Sequence, residues 1–119
     1  MYTDGSVDVI DNTIANVIAT SGGNGLSYGM YLAHDAGGTI SGNRIRGLTP
    51  DGTGSAKGIW SGTSTRITLS DNHLVGTGGT GSAGITCANS LDRAKDNVIN
   101  GFATATSACG DAGGNDITP

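Results

Sequence analysis

The stretch Leu69-Ser70-Asp71-Asn72-His73-Leu74-Val75-Gly76 reads as two short strands joined by a tight bend. Apolar and small polar residues alternate on either side, which is the mark of a strand with one face turned inward. Leu69 lies three residues before Asn72 and Leu74 two after, so strict alternation breaks between them. Asp and Asn at the break are turn formers, and Asn both tolerates left-handed backbone angles and hydrogen-bonds its own turn. The same phrase occurs five times, as Asp11-Asn12-Thr13-Ile14, Gly42-Asn43-Arg44-Ile45, Asp71-Asn72-His73-Leu74, Asp96-Asn97-Val98-Ile99 and Gly114-Asn115-Asp116-Ile117. Its asparagines stand 31, 29, 25 and 18 residues apart.

A second phrase, glycine followed by an apolar residue, interleaves with the first at Gly29-Met30-Tyr31-Leu32, Gly58-Ile59-Trp60-Ser61 and Gly84-Ile85-Thr86-Cys87. Two phrases in one alternating order define a solenoid, because a unit of 18–31 residues cannot bury its inner face alone. Stacking the units puts their inward positions in columns: Val9, Ile40, Leu69 and Ala94; Ile14, Ile45, Leu74, Ile99 and Ile117; Met30, Ile59 and Ile85. The asparagines then stack as well. At the spacing of about 4.8 Å between paired strands, each amide can donate to the amide oxygen of the next coil.

Composition agrees. The 119 residues include 22 glycines, and all ten acidic residues are Asp, so the chain is poor in helix formers. Its formal charge of −4 argues against a partner bound by phosphate neutralisation, so no nucleic acid is expected. No apolar run reaches the ~18 residues of a membrane span, and no membrane partner is expected. The N-terminal stretch has neither the basic nor the apolar region of a signal peptide.

These repeats resemble the right-handed parallel β-helix superfamily, whose pectate-lyase-like members carry an asparagine ladder at a tight turn. The resemblance covers roughly residues 7–117 and implies an extracellular or periplasmic setting. The expected fold is therefore a single all-β domain over 1–119, a right-handed parallel β-helix of about four to five coils. Its repeats are drawn at about 7–28, 29–57, 58–83 and 84–109, with a partial repeat at 110–119. Asn12, Asn43, Asn72, Asn97 and Asn115 are its ladder.

The resemblance further implies that loops on one flank wall a groove holding a polysaccharide. Here those loops are Val17–Tyr28, Leu48–Lys57, Thr77–Ala83 and Phe102–Ser107, rich in Gly, Thr and Ser. Tyr31 and Trp60 follow the inward Met30 and Ile59, so alternation turns both outward on one sheet, as a sugar-stacking surface or a protein contact. Asp71 and Asp96 precede asparagines in adjacent coils. As catalytic candidates they would split acid and base roles in polysaccharide cleavage or hold Ca²⁺, the one cofactor this alternative admits. The plainer reading makes both aspartates turn formers. His34 and His73 lack ligand spacing, so no metal site is expected. Cys87 and Cys109, 22 residues apart and close to one coil, read either as a disulfide closing the last coil or as two buried thiols.

Solenoid ends need caps, because unpaired parallel strands otherwise face water. No capping helix precedes Val7, and only Pro119 reads as a stop signal. A missing N-terminal portion or a homo-oligomer would cover the bare end. Three functions stay open: a non-catalytic surface or structural domain binding glycan or protein through a sheet face, a polysaccharide lyase or glycoside hydrolase or a fragment of one, and a ligand-free oligomeric scaffold.

Overall fold

The structure is a computed structural model that describes every residue except 1, 4, 5, 7, 21, 22, 34, 35 and 63. Its described residues form strands and no helix. The chain winds through β1 (Tyr2–Thr3), β2 (Val9–Ile10) and β3 (Thr13–Ile18), then β4 (Ser27–Leu32), β5 (Ala36–Ser41) and β6 (Arg44–Thr49). It continues through β7 (Ala56–Ser61), β8 (Ser64–Ser70) and β9 (His73–Val75), then β10 (Ala83–Thr86), β11 (Arg93–Lys95) and β12 (Val98–Asn100). It finishes with β13 (Thr104–Ser107), β14 (Gly110–Asp111) and β15 (Asp116–Thr118). Every third strand pairs in parallel, giving a first sheet β1-β4-β7-β10-β13, a second β2-β5-β8-β11-β14 and a third β3-β6-β9-β12-β15. This is a parallel β-helix of three strands per coil.

The three apolar columns stand in register. Val9, Ile40, Leu69 and Ala94 pair in succession, and each is at most 4% exposed. Ile14, Ile45, Leu74, Ile99 and Ile117 form the second column, and Met30, Ile59 and Ile85 the third. The two sequence phrases interlock within a coil. A Cβ on Gly58 would run into Leu74 Cδ2 and the Gly84 carbonyl, and one on Gly84 into Ile99 Cγ2 and the Ala105 carbonyl. Gly29 stands likewise against Ile45 Cγ2 and the Gly58 carbonyl. The glycine of one phrase leaves the space that the aliphatic of the other fills.

The asparagines form a continuous ladder between the second and third sheets. Asn12 Nδ2 donates to Asn43 Oδ1, Asn43 to Asn72, Asn72 to Asn97 and Asn97 to Asn115, at 2.9–3.1 Å. Each acceptor oxygen also takes the backbone N–H of the preceding asparagine. The second Nδ2 proton of Asn43, Asn72, Asn97 and Asn115 goes to the carbonyl of Val9, Ile40, Leu69 or Ala94 one coil back. Asn72, 1% exposed, thus fills all four of its hydrogen-bonding sites.

The bend itself belongs to the residue before the asparagine, which corrects the sequence reading. Asp11, Gly42, Asp71, Asp96 and Gly114 take φ between 52° and 72°, the left-handed region. Asp and Gly tolerate that region well, which explains their alternation at this position.

The fifth coil carries polar contacts that the sequence reading did not single out. In this coil two of the three inward columns turn polar: Asp111 pairs with Ala94 and Thr106 with Ile85. Asp111 Oδ1 accepts Asn115 Nδ2 at 3.0 Å and the Gly113 N–H at 2.8 Å, ending the ladder where a sixth asparagine would stand. Ile117 keeps its column but is 49% exposed. Cys87 and Cys109 form a disulfide with Cα atoms 5.0 Å apart, tying the fourth coil to the fifth. Ala108, the neighbour of Cys109, takes φ 58° at this turn.

Candidate binding face

The first sheet breaks alternation once per coil. In both β4 and β7 the second and fifth residues face outward while the two between them are buried. Gly29 and Met30 both point inward, as do Gly58 and Ile59, because the glycine lies over the Ile45 or Leu74 side chain. The outward residues therefore come three apart. Tyr28 and Tyr31 share one face of β4, and Lys57 and Trp60 lie beside them on β7 as their register partners.

The result is an aromatic cluster. Tyr28 packs edge-on to Tyr31 at 5.4 Å between ring centroids and edge-on to Trp60 at 5.6 Å, with interplanar angles of 74° and 67°. Such T-shaped pairs place the positive edge of one ring on the negative face of another. Lys57 Nζ lies 5.6 Å from the Trp60 ring centroid and donates to the Gly81 carbonyl. All four side chains are half-buried, so one part of each is packed and the other meets solvent. Burial, and next the neighbouring Tyr31, raise the Tyr28 pKa and keep its phenol neutral. Tyr31 and Trp60 stand where alternation placed them. Tyr28 was missed, because plain alternation from Met30 gives no reason for an outward residue two positions earlier.

Asp71 and Asp96 lie at the other corner, before the ladder. Asp71 is exposed at its left-handed turn position, and Asp96 is ion-paired with Lys95 at 2.7 Å. The hydrogen bond that Lys95 donates to Asp96, with the Asp96 charge next, raises the pKa of the exposed Lys95. No group of three His, Cys, Asp or Glu residues that could hold a metal occurs among the described residues. His34 lies outside them, and His73 faces outward on β9.

The loops between the third and first sheets wall two grooves. One, of about 770 Å³, runs between Gly76–Thr80 and Gly101–Ala103 and is floored by Phe102. The other, of about 560 Å³, lies between Pro50–Gly54 and Thr77–Thr80. Neither is lined by an acidic or basic side chain, and neither includes Asp71 or Asp96. A second acid the sequence reading passed over, Asp92, is fully buried and accepts the Ile67 N–H at 2.9 Å. There it supports β8 beside Arg66, whose φ is 65°.

No family model matches the chain, and no curated protein or solved structure matches it.

Proposed function

We propose that the chain is a non-catalytic β-helix module, of the pectate-lyase-like right-handed superfamily, that binds a polysaccharide through the outer face of its first sheet. The observation that carries this reading is the cluster of Tyr28, Tyr31 and Trp60 with Lys57 beside it. Aromatic rings with polar tips offer an apolar surface to the C–H faces of sugar rings and donors to their hydroxyls. The rings meet at steep angles, so they form a stepped surface on which a chain would rest against one ring at a time. The three-strand coil and the ladder support the superfamily placement. The Cys87–Cys109 disulfide supports an extracellular or periplasmic setting, where oxidising conditions preserve such bonds. Binding of this kind needs no cofactor.

The alternative, polysaccharide cleavage, draws on one observation, the Lys95–Asp96 pair near Asp71. It is the weaker reading, since these groups stand at the ladder corner and the loop grooves at another. Trp60→Ala tests the binding module. Retention on an immobilised polysaccharide is expected to fall at least about tenfold with the melting temperature unchanged, since a half-exposed aromatic contact accounts for at least 1.4 kcal/mol or so. Undiminished retention would remove the cluster from the function.

A further inference from the structure

We infer that the outer face of the third sheet carries an oxyanion site built by Arg44, Arg46 and His73, and that its ligand is a sulfated polysaccharide. The chain has only six Lys and Arg against ten Asp. Lys95 pairs with Asp96, Arg93 Nη2 donates to the Asp111 carbonyl, and Lys57 donates to the Gly81 carbonyl beside Trp60. The Arg44 and Arg46 side chains are exposed and make no ion pair or hydrogen bond among the described residues.

The three groups converge. Arg44 and Arg46 are alternate residues of β6, so they leave the same face about 6.6 Å apart. His73 is the register partner of Arg44 on β9, about 4.8 Å away across the sheet. Together with Ile45 and Val75 they line a hollow of about 50 Å³. On the β3 side Arg44 also lines a larger hollow of about 250 Å³ with Asp11, Asn12, Thr13 and Gly42, and no ion pair joins Asp11 to Arg44 there. The strand neighbours on this face are Thr13 and Ala15 on one side and Val98 and Asn100 on the other, all uncharged. Two cations set side by side with neither ion-paired repel each other, and a bound anion relieves that repulsion; Asp11 reaches only the Arg44 side of the site.

The arrangement selects the anion. A planar carboxylate is satisfied by one guanidinium fork, whereas a tetrahedral oxyanion presents oxygens to several donors at once. Three N–H-bearing groups around one small hollow suit the second. A sulfate ester presents one tetrahedral, singly charged group, which three N–H-bearing side chains can hold without further cations. The face holds no Phe, Tyr or Trp, and its Ala15, Val75 and Val98 side chains give a sugar backbone a shallow apolar rest. The site stands on a different sheet from Tyr28, Tyr31 and Trp60, so it survives or fails independently of that cluster.

The test measures retention on heparin, on desulfated heparin that keeps its carboxylates, and on polyphosphate. It compares the wild-type chain, Arg44→Gln, Arg46→Gln, the double variant and Arg66→Gln on the second sheet. Wild type is expected to bind heparin, to lose that binding on desulfation, and to weaken about tenfold per Arg44 or Arg46 substitution. Arg66→Gln is expected to bind as wild type, with all melting temperatures alike. Absence of heparin binding, equal weakening by Arg66→Gln, retention on desulfated heparin, or polyphosphate binding as tight as heparin would each overturn the proposal.

Discussion

At the scale of single residues, one amide explains most of the repeat. Asn72 makes four hydrogen bonds while 1% exposed, so Asn72→Leu strands two donors of Asn43 and the Ile40 carbonyl in the interior. Buried unsatisfied groups of this kind cost about 1–3 kcal/mol each, and the variant is expected to lose about 3 kcal/mol in denaturant unfolding. Asn12→Leu should lose only about 1 kcal/mol, because the half-buried Asn12 side chain bonds only Asn43 and the Ile10 carbonyl among the described residues. Equal losses at the two positions would contradict a ladder in which the interior rungs carry the load. The aspartate at the bend is a conformational choice. Asp71 has φ 55°, a position that Gly42 and Gly114 fill in other coils. Asp71→Gly is therefore expected to be nearly neutral in stability, whereas Asp71→Val should cost about 1–2 kcal/mol because a branched side chain strains the left-handed region.

At the scale of elements, the glycines of the first sheet decide where the aromatics go. Gly58→Ala forces its new methyl against Leu74 and the Gly84 carbonyl, and is expected to lower stability by about 1–3 kcal/mol and to shift the Trp60 fluorescence as β7 moves. The sequence disclosed the ladder and the three columns because each rests on a short phrase repeated in register. It also placed Tyr31 and Trp60, one residue past an inward position. It could not place Tyr28, because two consecutive inward residues at Gly29–Met30 follow from packing against Ile45 in a distant strand. The place of Asp111 was equally hidden: it belongs to no repeated phrase and shows its role only when Ala94 is seen as its register partner. The last coil has short strands and an exposed Ile117, so the Cys87–Cys109 bond should matter most there. Closing a loop of this size stabilises by about 3 kcal/mol. Reduction is expected to release hydrogen-exchange protection in β13 and β14 first, while β4 and β7 stay protected.

At the scale of the whole molecule, three sheets meet at three corners, and the corners and faces differ in character. The ladder corner holds Asp71 and Asp96 in turn positions, the loop corner holds grooves lined without acids or bases, and the first and third sheets present an aromatic face and a cationic one. That division favours binding on faces over chemistry at a corner. The most direct measurement incubates the chain with a panel of neutral and acidic polysaccharides, with and without Ca²⁺, and follows both retention of the protein and chain length of the polymer in the same samples. The expected result is retention on at least one polymer, reduced in Trp60→Ala, with no loss of polymer length under either condition. Shortening of a polymer that is abolished by Asp71→Asn in a still-folded chain would contradict the account and move the function to the ladder corner.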